Sequence, residues 1–209
     1  MDTKIINELL NIFHKVYNKP KIELNYSNPF ELLIATILSA QCTDKRVNEV
    51  TENLFKKLTK IEDFVQISTS ELEELIKPTG FYKNKAKSIK NCCKTLIEKY
   101  NCQLPDNVEE LSKLPGVGRK TANVLLVECF NKPAIVVDTH VKRFSRRFGL
   151  TKEINPEKIE YDLMKIIPES EWNFFSKSAV LHGRYICKSR KPDCEKCPVN
   201  HICLKIFNN

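Results

Sequence analysis

An all-α fold is predicted for this chain, and three observations predict it. Apolar residues recur at helical spacing over most of its 209 residues, as in Ile5, Ile6, Leu9, Leu10, Phe13 and Val16. Helix-start signals precede such stretches, the clearest being Asn28 before Pro29, a capping side chain followed by a first-turn proline. No alternating run bounded by hairpin residues makes a convincing strand.

The elements follow in order. The first helix ends near Val16, and the second opens at Pro29. Residues 32–40 are apolar nearly all round, which places that second helix at the centre of a core. The stretch is too short to span a bilayer and contains Thr36 and Ser39, so no membrane partner is expected. Further helices are expected at 45–58, 71–76, 84–100, 108–114, 119–130, 139–148, 156–167 and 169–186. Ser39 reads as a helix residue and Asp44 as an N-cap. Asn131-Lys132-Pro133 marks a seam, and no internal repeat or low-complexity tract supplies another.

A net charge of +8 favours a polyanionic partner, although charge alone separates protein classes only weakly. The N-terminus lacks a signal-peptide pattern, and nine cysteines without such a signal fit a reducing cytoplasm better than a disulfide scaffold. Cys42, Cys92, Cys93, Cys102 and Cys129 are scattered through helical pattern and read as small buried hydrophobes. Cys187, Cys194, Cys197 and Cys203 instead form C-x6-C-x2-C-x5-C, compact enough for four thiolates to meet one metal centre. On spacing alone, zinc and an iron–sulfur cluster both remain open. Lys188-Ser189-Arg190-Lys191-Pro192-Asp193, between the first two cysteines, is a basic finger that either grips phosphates or offsets the negative charge of the thiolates.

The run Leu114-Pro115-Gly116-Val117-Gly118-Arg119-Lys120-Thr121-Ala122 carries the most chemistry. Asp106 and Asn107 offer cap oxygens to the 108–114 helix, the Pro-Gly-Val-Gly turn must break it, and a second helix restarts at Arg119. Both glycines can take a positive φ and neither has a side chain to block close approach, so amides of the turn and of the new helix can converge on one phosphate. Lys120 lies in the first turn, where the positive end of the helix dipole works against an ammonium and in favour of a free amine nucleophile. A surface lysine near a phosphate is the plainer reading. Ile135-Val136-Val137-Asp138-Thr139-His140-Val141 is an apolar run ending in a carboxylate, which as an N-cap alone would need no other role. His140 and His182 read as hydrogen-bonded packing residues.

Taken with Ser39-Ala40-Gln41-Cys42-Thr43-Asp44 and Leu181-His182-Gly183-Arg184-Tyr185, these motifs resemble the endonuclease III family of helix-hairpin-helix DNA glycosylases, essentially end to end. The resemblance implies a two-domain fold. A six-helix barrel would span 22–132 and contain the helix-hairpin-helix at about 107–130. A discontinuous iron–sulfur domain would join 1–21 to 133–209 and carry the cluster loop 187–203. It implies one 4Fe–4S cluster on Cys187, Cys194, Cys197 and Cys203, Lys120 as nucleophile and Asp138 as the essential carboxylate. Gln41 and Phe81 would enter the duplex from opposite sides, Phe81 standing where the family usually has Leu. Gly116, Val117, Gly118, Arg119 and Thr121 of the hairpin, with Arg190 and Lys191 of the finger, would contact the DNA.

The activity implied is bifunctional. Oxidised or ring-saturated pyrimidines are excised through a lysine Schiff base, and the abasic strand is cleaved by β-elimination. The implied partner is double-stranded DNA with damaged bases or abasic sites, met by a monomer on a prokaryote-like nucleoid. Three rivals stand beside this reading: a monofunctional mismatch adenine glycosylase, a non-catalytic DNA-binding module and a redox-sensing iron–sulfur DNA-binding protein. Adenine glycosylases typically carry Ser where this chain has Lys120, and Glu where it has Ile37.

Overall fold

The computed structural model describes residues 2–207, which are helical without strands. The helices are α1 Thr3–Val16, α2 Pro29–Leu38, α3 Asp44–Lys57, α4 Ile61–Gln66, α5 Thr69–Ile76, α6 Tyr82–Tyr100, α7 Val108–Leu111, α8 Arg119–Phe130, α9 Thr139–Phe148, α10 Pro156–Ile166 and α11 Trp172–Tyr185, with 3-10 turns at Lys77–Thr79 and Glu169–Glu171. Among the described residues no helix is long and apolar enough to cross a membrane. Contacts divide the chain into two compact units, residues 23–131 and residues 2–22 with 132–207.

In the 23–131 unit, α2 is the central element. Asn28 Oδ1 accepts the Glu31 N–H at 2.9 Å and Pro29 opens the first turn, so the helix begins where the sequence requires. Residues 32–38 are all buried, with α3, α6 and α8 packed around them. Asp44 is a first-turn residue of α3 rather than its cap, because Thr43 Oγ1 accepts the Arg46 N–H at 3.3 Å. The sequence did not announce α4, whose six residues are too few for a period to show. Its start is held by Asp63 Oδ2, which accepts the backbone N–H groups of Thr59 and Lys60 at 2.8 and 2.9 Å. The Lys90 ammonium donates to the carbonyls of Val65 and Ile67 at its other end.

Helix α7 is shorter than the expected 108–114. The N–H groups of Lys113 and Leu114 reach back three residues, to Glu110 and Leu111 at 3.1 Å each. Pro115 disfavours an α conformation at the residue before it, so the last turn tightens into 3-10 geometry. Cys92 and Cys93 are fully buried as expected, whereas Cys102 is exposed at a left-handed turn beyond α6.

The other unit is built on aromatic rings. Phe13, Phe144, Phe148 and Phe175 are fully buried, with Phe144 at 5.5 Å from both Phe13 and Phe148. Each such side chain contributes about 1.5–3 kcal/mol through burial. Helix α9 packs along α11, and Gly183 permits the approach: a Cβ there would lie 2.7 Å from His140 Cβ. The expected 169–186 helix divides into a 3-10 turn followed by α11.

Candidate active site and metal centre

The Gly116-Val117-Gly118 turn is shaped from both directions. Gly116 has φ 82°, and a Cβ on it would lie 2.8 Å from Ser88 Cβ, so both backbone and neighbour require glycine. Gly118 differs from expectation: its φ is −89°, in extended backbone, and no atom lies within 4 Å of where its Cβ would be. Its contribution is openness. It is the N-cap of α8 and supplies no capping side chain, and amides in the first turn of a helix have no acceptor in the preceding turn. Val117 is buried and anchors the turn through its N–H to the Leu114 carbonyl at 3.0 Å. Lys120 is the second residue of α8 and is exposed. An uncapped helix N-terminus with glycine on its approach has the chemistry to take an anion such as phosphate, and this one carries an accessible amine.

In the same unit, Gln41 and Phe81 are both exposed and both left-handed, with φ of 54° and 49°. Phe81 is 61% exposed and so does not pack in the core. Left-handed backbone at a non-glycine residue costs on the order of 1–3 kcal/mol and persists where the surroundings enforce it.

In the other unit, Asp138 is the N-cap of α9. Its Oδ1 accepts the N–H groups of both His140 and Val141 at 2.8 Å. The residues of α9 beyond this cap tie it to the cysteine loop. Arg143 Nε donates to the Cys187 carbonyl at 2.9 Å and its Nη2 to the Gly183 carbonyl at 2.7 Å. Arg147 donates to the carbonyls of Lys188 and Ser189 at 2.7 and 3.0 Å. Neither arginine stood out in the sequence. Their acceptors are backbone carbonyls about forty residues away, which leave no mark on composition.

The four loop cysteines line one partly open cavity, walled by Phe144, Phe148, Ile186 and Val199. Among the described residues no three His, Cys, Asp or Glu side chains are gathered closely enough to hold a single ion. N–H donors are aimed at the sulfurs. Arg147 Nη1 lies 3.6 Å from Cys187 Sγ and the Lys205 N–H 3.4 Å from Cys203 Sγ. His182 Nε2 lies 3.5 Å from Cys197 Sγ, while its Nδ1 bonds the Tyr17 hydroxyl at 2.8 Å. Burial drives His182 down to about 4, so the ring is neutral with one N–H to give. Burial likewise pushes the Cys197 thiol up to about 11, so a thiolate there needs cationic charge at the sulfur. An all-sulfur donor set ringed by N–H groups fits an iron–sulfur cluster. His182 is thus a packing residue as expected, and it also supports a ligand. Arg190 and Lys191 are exposed on the finger, whose base is closed by the Asp193 N–H on the Ile186 carbonyl at 3.0 Å.

Two family models match the chain: the HhH-GPD superfamily base excision DNA repair protein over residues 34–169, and the iron–sulfur binding domain of endonuclease III over residues 187–203. Endonuclease III of Synechocystis sp. is 48% identical over 94% of this chain and 90% of that protein. The chain belongs to the endonuclease III family. Endonuclease III of Rickettsia conorii is 45% identical over 100% of the chain and 99% of its own length. A solved structure of a trapped endonuclease III–DNA covalent intermediate superposes with a TM-score of 0.94 at 45% identity, covering 98% of this chain and 97% of that one. As a member of the endonuclease III family, the chain carries a 4Fe–4S cluster, and the cysteine-lined cavity fits it.

Proposed function

We infer that the chain is a bifunctional DNA glycosylase and abasic-site lyase that removes oxidised or ring-saturated pyrimidines from double-stranded DNA, with Lys120 as the nucleophile. The observation that carries this is the hairpin turn, which puts an exposed lysine at the second position of an uncapped helix in a chain of a base-excision repair family. Its similarity to an endonuclease III trapped covalently on DNA supports the covalent step.

A base inside a duplex is out of reach, so the damaged nucleotide must swing out of the stack, most readily when its stacking is already weak. Gln41 and Phe81 fill the space it leaves. The Lys120 amine attacks C1′, and the C1′–N bond breaks with its electron pair going to the base, which takes up a proton lost by the amine. The C1′–O4′ bond then opens with the remaining amine proton passing to O4′, leaving the opened sugar on the lysine as a Schiff base. Loss of a C2′ proton then expels the 3′ phosphate, and water releases the product from Lys120. The Asp138 carboxylate stabilises positive charge at C1′ and assists the proton transfers. The turn amides at 116, 118, 119 and 121, with Arg190 and Lys191, hold phosphates, while Val117, its own N–H bonded to the Leu114 carbonyl, fixes the turn that presents them. Cys187, Cys194, Cys197 and Cys203 hold the cluster, which shapes the finger. None of these steps transfers a net electron, so its role is structural. The protein works as a monomer on the chromosome, in the cytoplasm.

Borohydride reduction on a duplex carrying thymine glycol tests substrate class and lysine chemistry together. Wild type is expected to become covalently attached, and Lys120→Gln to bind the duplex but neither trap nor cleave. Undiminished trapping by Lys120→Gln would overturn the assignment.

A further inference from the structure

A buried lysine that neither sequence nor mechanism uses stands between the two loops given a role in base extrusion. Lys85, on α6, is only 5% exposed. Its ammonium donates to the Leu38 carbonyl and to the Thr79 carbonyl, each at 2.8 Å, and among the described residues it bonds no carboxylate. Leu38 is the last residue of α2, three before Gln41. Thr79 is the last residue of the 3-10 turn, two before Phe81. Carbonyls at helix ends have no further N–H within the helix and carry the negative end of its dipole, so a cation suits both. The Lys85 N–H to the Phe81 carbonyl at 3.1 Å is the ordinary first-turn bond of α6, and it sets the lysine one helical turn from Phe81. The ammonium therefore grips the chain before Gln41 and the chain before Phe81 at once.

A lysine is a costly way to fill a core position. Burial disfavours its charge and lowers its pKa, and long charged side chains are rarely fully buried unless paired. An ammonium, with three donors on one atom, can tie two strands of chain together. Both loops it ties hold a left-handed non-glycine residue, at Gln41 and at Phe81, a conformation that needs outside enforcement.

We propose that Lys85 is a positioning residue that fixes the Gln41 and Phe81 loops to each other, so that both side chains reach the duplex as one preset unit. This rests on the reading that these two residues enter the DNA. Removing the ammonium frees each loop to relax separately. Extrusion of the damaged nucleotide suffers, while phosphate contacts made elsewhere are untouched.

The test uses the full cluster-loaded chain and 2-aminopurine placed beside a thymine glycol, whose fluorescence rises on unstacking. Lys85→Met keeps the aliphatic stem and is expected to reduce both the unstacking signal and single-turnover excision on the order of 10-fold. Affinity for undamaged duplex and its salt dependence should stay at wild-type values. In a Gln41→Ala/Phe81→Ala background, adding Lys85→Met should lower excision no further, since residues acting as one unit are non-additive. Wild-type unstacking by Lys85→Met, or a full additive loss in that background, overturns the proposal. Wild-type unstacking by Gln41→Ala/Phe81→Ala would overturn the underlying reading instead. If Lys85→Met does not fold, Lys85→Gln, whose amide can satisfy one of the two carbonyls, is expected to fold and show the same separation of unstacking from affinity; wild-type unstacking by it counts against the proposal.

Discussion

Among the described residues, both hydrogen bonds that the Asp138 carboxylate accepts, from the His140 and Val141 amides, fall on Oδ1. The cap therefore occupies one carboxylate oxygen, and the proposed chemistry at C1′ falls to Oδ2. Asparagine reproduces the cap with its amide oxygen but carries no charge, whereas alanine loses both. Asp138→Asn should accordingly keep its melting temperature and DNA affinity while single-turnover base release slows by about 100-fold or more. Asp138→Ala should in addition lose about 1 kcal/mol of stability. Base release at the wild-type rate in Asp138→Asn would reduce the residue to a cap. Gly116 poses a purely steric case. Alanine there meets a φ of 82° and Ser88 Cβ at 2.8 Å, so Gly116→Ala should weaken binding to damaged and undamaged duplex by distorting the turn. No charge is removed, so the dependence of affinity on salt should keep its wild-type slope.

Helix α9 shows how one element can serve two chemistries. Its first turn is held by Asp138, its apolar face puts Phe144 and Phe148 into the core, and Arg143 and Arg147 reach the cysteine loop. Arg147 holds two carbonyls at the base of the finger and also points at a cysteine sulfur. Arg147→Met keeps much of the stem but frees those carbonyls. Iron should then be released faster to a chelator, and duplex affinity should fall, while excision by molecules already bound proceeds as in wild type. Equal iron-release rates would show that the finger is held without Arg147. Lys191→Glu, further out on the same loop, should lower affinity for damaged and undamaged duplex alike and make the salt slope shallower, because a phosphate contact carries no information about the lesion.

For the molecule as a whole, a net charge of +8 is put to use on a polyanion. The logarithm of non-specific affinity should fall against the logarithm of salt concentration with a slope of about −0.9 per phosphate neutralised on duplex DNA. Stability is concentrated differently. Phe144 touches Phe13, Phe148, Phe175 and His182, so it joins the aromatic core to the cluster's surroundings. Phe144→Ala should cost about 3–5 kcal/mol in denaturant unfolding. It should also speed loss of the cluster's visible absorbance, since the cavity wall is removed.

Helix starts were legible because they are decided locally. Asn28 and Pro29, the glycine turn before Arg119 and the acid before Thr139 act within one turn of themselves, and α2, α8 and α9 begin where those residues stand. The all-α class and the compact cysteine spacing were readable for the same reason. What the sequence left open depends on partners distant along the chain. The short α4 relies on Lys90, the arginines of α9 find carbonyls about forty residues away, and Lys85 finds one 47 residues back. The left-handed backbone at Gln41 and Phe81 is equally silent, because residue type at those positions does not demand it. Local capping and turn preferences determined where elements begin. Only tertiary packing decided which carbonyl a buried cation would find, and with it how two exposed loops are held to each other.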